Sequence, residues 1–468
     1  MVVEQMIDAM MIEIKKNLEC FCQESSEEAL SLESAEAVCK GIQETLAGAG
    51  RAGFTTYLKA NEEVRDIIVV DGETYRFKAF TNKAFVSLWG GTSISRKIFQ
   101  NGADTKSYCP MDEAWGMANE YLTIEVREAS AYASGLVTPE EVAGLFEKST
   151  LFHPHPTQIK NAAEQIAARV APCRAEVDRA IREEEQVPGG TRVLVASMDG
   201  VNVLLNEPGK KQGRPAERPK GEDKQSKTAY KNAMVGVVSF YGEVKEGEKC
   251  PERLDARYVS HMPEERALSF KEKFEAELDD AVAQCPSDVT KVVLCDGARG
   301  IWSYIDNAER FKGFEKLIDY WHAVEHLSLA AEALFGKGSE EGKAWYEKYA
   351  AKLKEEERGA QCALDSMDYY GGTRKLSSTR RKDLNTQRTF FARNKHRMTY
   401  ADFRWRGLPI GSGPVEAACK SLVKARLCRS GMRWSRAGGQ RILDFRTYIK
   451  SKRWDKFWKQ YKNLKSAV

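Results

Sequence analysis

Arg192-Val193-Leu194-Val195-Ala196-Ser197-Met198-Asp199-Gly200-Val201-Asn202-Val203-Leu204-Leu205 is aliphatic at almost every position. That pattern fits a strand buried on both faces in the middle of a sheet. One carboxylate, Asp199, interrupts it. A second run, Lys291-Val292-Val293-Leu294-Cys295-Asp296, also ends on an acid. A carboxylate among such neighbours is costly to desolvate unless positive charge neutralises it. Each Asp is followed by Gly, so a turn is the alternative reading at each position.

Between these runs, Met234–Tyr241 and Ala256–Ser260 read as strands and residues 264–284 as a helix. Three antiparallel-type strands, a helix, then a strand ending in an acid is the order of a ribonuclease-H-like core. The expected fold class is therefore α/β, with this core interrupted by a helical insertion. Pro188-Gly189-Gly190 marks the expected boundary, and Gly209–Lys227, rich in Lys, Arg, Pro and Gly, reads as flexible.

Working outward, residues 1–60 read as helices, and residues 61–111 as a β-ribbon with Asp71-Gly72 at a turn and Gly90-Gly91 joining two strands. Residues 112–187 return to helix. Thr138-Pro139-Glu140-Glu141 and Pro156-Thr157-Gln158-Ile159 are helix starts on either side of His153-Pro154-His155, which suits a helix-turn-helix or an ordinary helical hairpin. Residues 188–326 form the first part of the core and 327–408 the helical insertion, with breaks at Gly371-Gly372 and in a Ser-Thr-Arg stretch. Residues 409–468 hold a final helix and a basic tail running from Leu422 to Lys465.

That final helix begins at Gly411-Ser412-Gly413-Pro414-Val415-Glu416-Ala417-Ala418-Cys419-Lys420. Gly and Ser supply the turn, Pro414 suits the first helical position, and Glu416 falls in the first turn. Lys420 and Lys424 lie four and eight residues on, on the α-helical face of Glu416. Alone, the stretch is a capped, solvated helix. Together with Asp199 and Asp296, Glu416 completes an all-oxygen set suited to Mg²⁺ or Mn²⁺. Three such carboxylates can hold two ions about 3.5–4 Å apart, which is the requirement for in-line phosphoryl displacement.

The formal charge of +4 hides an asymmetry: residues 371–468 carry 26 Lys and Arg against 5 Asp and Glu, while the rest of the chain is acidic. A cationic segment on an acidic body points to a polyanionic partner. Lys420, Lys424, Arg426, Arg429 and Arg433 read as a phosphate-tracking stripe, and Trp434 as either a base-stacking or a core residue. No apolar run is long enough to span a membrane, and the 11 Cys include no CxxC pair, which argues for reduced thiols in a cytoplasm.

Asp199, Asp296 and Glu416 resemble the Asp-Asp-Glu triad of cut-and-paste DNA transposases. The 120-residue interval from Asp296 to Glu416 is similar to that in members with a helical insertion. Phe403-Arg404-Trp405-Arg406-Gly407-Leu408-Pro409-Ile410 leading into Gly411–Lys420 resembles bacterial insertion-sequence transposases of the ISKra group. So do Ser430-Gly431-Met432-Arg433-Trp434-Ser435 and Cys295-Asp296-Gly297-Ala298 followed by Trp302. Asp319-Tyr320-Trp321-His322 resembles an element of the related Mutator-like transposases. The resemblance covers about residues 190–460. It implies metal-dependent cleavage and strand transfer on terminal inverted repeats and target DNA, by a homodimer or higher assembly in a bacterial, nucleoid-associated cytoplasmic setting. Asp319, His322 and Arg299 would lie near the active site, and residues 112–187 would recognise the DNA ends. Relatives often carry zinc-ligand cysteines in the ribbon; here Cys109 stands nearly alone, so no zinc ribbon is expected.

Two rival readings stand beside this one. His322-Ala323-Val324-Glu325-His326 matches the H-x-x-E-H pattern of inverted zinc metallopeptidases, with both histidines able to meet one zinc and Glu325 as base. A catalytically dead DNA-binding protein built on the same core is the other.

Overall fold

A computed structural model describes residues 2–25, 31–102, 106–206, 230–248 and 250–464, with residues 20–25 described by backbone alone. The segment Gly209–Lys227 and Lys465 fall outside the described residues. The chain is mixed α/β and forms two compact units, Met1–Pro172 and Cys173–Ser466.

In the first unit, α1 (Val2–Ser25) and α2 (Leu32–Ala60) precede a four-stranded antiparallel sheet of β1 (Ile67–Val70), β2 (Glu73–Ser87), β3 (Gly90–Gln100) and β4 (Ser107–Tyr108), in that order. Positive φ at Asp71 (49°) and Gly72 (83°) makes the tight β1–β2 turn. β2 is one long strand holding both Tyr75 and Phe85, because pairing to β3 continues past a bulge between Phe77 and Ala79. Cys109 is a buried free thiol among Leu58, Phe85, Ile94 and Met111. After α3 (Pro110–Ala114), the helices α4 (Ile124–Leu136), α5 (Pro139–Ser149) and α6 (Pro156–Val170) share a core built on Val126, Val142, Phe146 and Ile159. Thr138 and Glu141 cap α5 reciprocally, as their spacing predicts.

The second unit starts ahead of Pro188, because α7 (Arg174–Glu183) belongs to it. Arg174 donates to Asp444 at 2.7 Å, and the Tyr448 hydroxyl donates to Asp178 at 2.5 Å. The expected boundary at residue 188 is corrected to residue 173 by these long-range contacts, which no local composition signals. A mixed five-stranded sheet follows. Its strands are β5 (Val193–Leu204), β6 (Tyr230–Tyr241), β7 (Arg253–His261), β8 (Thr290–Cys295) and β9 (Glu315–Ile318), in spatial order β7-β6-β5-β8-β9. β6 pairs antiparallel with both β5 and β7, whereas β5–β8 and β8–β9 pair parallel. The helix α8 (Leu268–Gln284) follows β7, and α9 (Arg299–Asn307) lies between β8 and β9. β9 and α9 escape the sequence patterns: β9 has only four residues, and α9 follows directly on the Asp-Gly turn signal.

Helices α10 (Tyr320–Phe335), α11 (Glu340–Glu355), α12 (Gly359–Thr373), α13 (Ser378–Asn394) and α14 (Tyr400–Trp405) form the insertion. α12 runs through Gly371-Gly372, where the sequence predicts a break: Gly371 is buried, and a Cβ there would lie 2.9 Å from Leu384 of α13. One continuous core joins Leu194, Val293 and Leu317 of the sheet to Leu327, Leu364, Phe391 and Tyr400 of the insertion. The insertion is therefore built onto the sheet. The chain then enters α15 (Gly413–Ala418), a π-helical turn at Cys419–Lys424, α16 (Ala425–Leu427), α17 (Arg436–Lys450) and α18 (Trp454–Asn463). A second core sets Val201, Val203 and Leu205 of β5 against Val415, Ala418, Cys419 and Leu422.

Candidate active site

Strand register gathers the acids. β5 and β8 pair from Val193↔Thr290 to Ala196↔Val293, and carrying the same offset three residues further sets Asp199 beside Asp296. β8 and β9 pair up to Cys295↔Ile318, so the next positions are Asp296 and Asp319. Two contacts hold the row together: Met198 N–H donates to Cys295 Sγ at 3.3 Å, and Asp319 N–H donates to the Cys295 carbonyl at 2.9 Å. Three carboxylates from three neighbouring strands thus end in one row.

Their side chains differ in what they do. At Asp199 the turn reading fails, since β5 continues through Gly200 to Leu204 in unbroken pairing with β6. Asp199 Oδ1 accepts the Gly200 N–H at 2.6 Å, and Oδ2 accepts the Cys419 thiol at 3.4 Å. At Asp296 the turn reading holds in part. Oδ1 accepts the Ala298 N–H at 2.9 Å, and the backbone carbonyl accepts Trp302 Nε1–H at 2.5 Å, so Asp296 also shapes the start of α9. Asp319 is buried, and both of its oxygens are committed to backbone: Oδ1 to His322 N–H at 2.7 Å, capping α10, and Oδ2 to Ser412 N–H. Asp319 is a positioning group, with a backbone N–H held on each of its oxygens.

That Ser412 contact explains how a distant helix reaches the row. Tyr320 N–H also donates to the Ile410 carbonyl at 3.0 Å, so residues 410–412 lie along the end of β9. α15 then starts with Pro414 in its first turn, and Val415 and Ala418 bury against β5 and β6. Cys419, three residues beyond Glu416, is the residue that touches Asp199. Glu416 itself is exposed.

Electrostatics agree with the crowding. Burial pushes the Asp296 carboxyl above the ordinary carboxylate range, and the negative charges of Asp199 and Asp319 add to this, while the Ala298 N–H and His322 oppose it. Burial, reinforced by Asp199, likewise raises the Cys419 thiol, so that it stays a neutral donor. The donor set suits a hard divalent cation in charge and chemistry. Among the described residues, however, no three His, Cys, Asp or Glu side chains are gathered at one coordination point.

The histidine pair is used for packing. His322 and His326 rings meet edge to face at 4.9 Å, and His326 stacks on Phe390 at 3.6 Å with Nδ1 2.5 Å from Gln387 Oε1. Burial lowers the His326 pKa. Glu325 is exposed and lies 3.6 Å from His322 Nδ1. This geometry gives the H-x-x-E-H pattern a structural purpose.

The predicted cationic stripe is corrected. A π-helical turn spans Cys419–Lys424, and Glu416, Lys420 and Lys424 are all exposed along it. Lys420, Lys424, Arg429 and Arg433 are exposed. Arg426 is 3% exposed and lies 5.2 Å over the Trp434 ring, so it leaves the stripe. Trp434 is half-buried and packs against the second core: its indole donates to the Leu427 carbonyl at 3.0 Å, and its backbone bonds to Leu204 and Asn206 at the end of β5.

What sequence reading missed is the wall opposite Asp296. A cleft of about 890 Å³ is lined by Asp296, Gly297, Ala298, Arg299 and His322 on one side and by α13 on the other. Gly297 lets α13 come so close: a Cβ there would stand 2.2 Å from the Phe390 ring. Arg299 opens α9 and is exposed to the cleft. The repeat Arg381, Asn385, Thr389, Arg393 was the available signal, since residues four apart share a helix face. No family model and no curated protein matches the chain.

Proposed function

We propose that the chain is a DNA transposase of the Asp-Asp-Glu type, built on a ribonuclease-H-like core. In this reading it binds the terminal inverted repeats of an insertion sequence and carries out metal-dependent strand cleavage and strand transfer. The observation that carries this reading is the row of Asp199 and Asp296 on adjacent parallel strands, with the Glu416 helix docked on the same face through Cys419 and Asp199. The order and direction of β5–β9 are those expected of such a core.

Asp199, Asp296 and Glu416 would hold Mg²⁺ or Mn²⁺, which when bound activates water or a 3′-hydroxyl and stabilises the departing oxygen of a phosphodiester. The protein's own residues supply the rest. Asp319 fixes the approach of the Glu416 helix. The Cys419 thiol donates to one Asp199 oxygen and orients it. Arg299, at the rim, is placed to meet a phosphate beside the acids. End recognition falls to the N-terminal unit, and joining two ends requires a dimer or higher assembly.

The test uses the full chain with labelled duplexes carrying the element's ends. Mg²⁺- or Mn²⁺-dependent nicking or joining that is lost in Asp199→Asn and in Glu416→Gln supports the proposal. DNA binding without cleavage in either ion would instead favour a DNA-binding protein on an inactive core. Peptide hydrolysis that stops with a zinc chelator despite excess Mg²⁺ would favour the metallopeptidase reading.

A further inference from the structure

The wall formed by α13 has a chemistry of its own. Arg381, Asn385, Thr389 and Arg393 repeat at four-residue spacing, with Lys382 and Thr386 beside them, and all six line the cleft that ends on Asp296. Asp296 is the one carboxylate among the described lining residues. Several cations elsewhere on the insertion are spent on acids: Arg388 pairs with Asp368, and Arg374 with Glu341. Here they are not. Among the described residues, neither Lys382 nor Arg393 nor Arg299 forms an ion pair within 4.0 Å, and Arg381 only reaches the Gly371 carbonyl at 3.4 Å. The Thr386 and Thr389 hydroxyls rest on the Lys382 and Asn385 carbonyls at 3.0 and 2.7 Å, and rotation frees them as donors. Exposed cations left without acidic partners, interleaved with amide and hydroxyl groups, match a sugar–phosphate backbone.

We propose that the cleft face of α13 holds the backbone of one polynucleotide strand on its way to Asp296, so that the insertion forms part of the substrate channel. This rests on the phosphoryl-transfer reading of the acid row. From Arg381 to Arg393 the helix spans about 18 Å. At about 3.4 Å of duplex rise per nucleotide, that covers at most roughly five phosphates of one strand. The length suits a short tract next to a scissile bond and is too small for a whole DNA end.

The experiment measures binding of a fluorescent single-stranded DNA and of its duplex to the full chain, across a salt series with a chelator present, so that no cleavage is needed. Lys382→Gln/Arg393→Gln should weaken single-strand binding and reduce the slope of log affinity against log salt by about 1.4, since each phosphate contact contributes about 0.7. Lys382→Arg/Arg393→Lys should restore the slope, and it remains informative if the Gln pair proves unstable on heating. An unchanged slope in a folded Gln variant, with wild type binding and cleaving normally, overturns this inference alone. A wild-type chain that binds neither probe at any salt overturns the proposed function as well.

Discussion

The Asp319 carboxylate accepts the backbone N–H of Ser412, a residue 93 positions away, and through it sets where the helix bearing Glu416 begins. Asp319→Asn keeps one acceptor but turns an amide N–H₂ toward the Ser412 or the His322 N–H. A buried donor facing a donor costs about 1–3 kcal/mol. Thermal unfolding should therefore show a clear loss of stability along with lost cleavage. An Asn variant as stable as wild type would place Asp319 outside this positioning role.

Glu416→Gln should behave in the opposite way. Glu416 is exposed and its size is preserved, so folding and DNA binding should persist while cleavage falls by orders of magnitude. Asp199→Asn and Asp296→Asn should lose comparable activity, and the triple variant little more than any single one, because groups acting as a unit are not additive. Near wild-type cleavage by Glu416→Gln would reduce Glu416 to a solvated helix residue.

The raised Asp296 pKa fixes the sign of a stability change. A carboxyl raised in the folded state binds its proton more tightly there than in the unfolded chain, where its pKa is about 3.9. Its contribution is full below that pH and is lost as pH rises through the folded value. With chelator present, Asp296→Asn should unfold at a higher temperature than wild type at pH 7. The shift should be roughly 2–4 °C per kcal/mol relieved, and the difference should shrink toward pH 4. Adding Mg²⁺ at pH 7 should stabilise wild type and leave the variant unmoved. A variant less stable than wild type at pH 7 would contradict the crowding of Asp199, Asp296 and Asp319.

Among the basic residues, exposure separates two outcomes. Neutralising Lys420, Lys424 and Arg429 should weaken binding to any duplex and flatten its salt dependence by about 0.9 for each phosphate that no longer meets a cation. Arg426→Ala should leave the slope alone and lower the unfolding temperature, because Arg426 is buried over Trp434. Measuring both quantities for both variants distinguishes phosphate binding from packing.

The sequence alone determined the strands β5, β6, β7 and β8 and the acids on two of them, because aliphatic runs and a buried charge are local signals. It also located the turn before Glu416 and the helical character of residues 327–406, since Gly, Pro and apolar spacing act within a few residues. Tertiary structure decided the rest. The alignment of Asp199, Asp296 and Asp319 depends on the register of parallel strands, which pairs residues 97 and 23 positions apart. β9 is too short to carry a period of its own, and it is a strand because β8 offers it an edge. Arg426 and Trp434 became packing partners at the end of β5, where composition alone shows only a basic, aromatic tail. Finally, α13 reached the acids because Gly297 leaves room for Phe390, a fit between residues 93 positions apart that no local pattern contains.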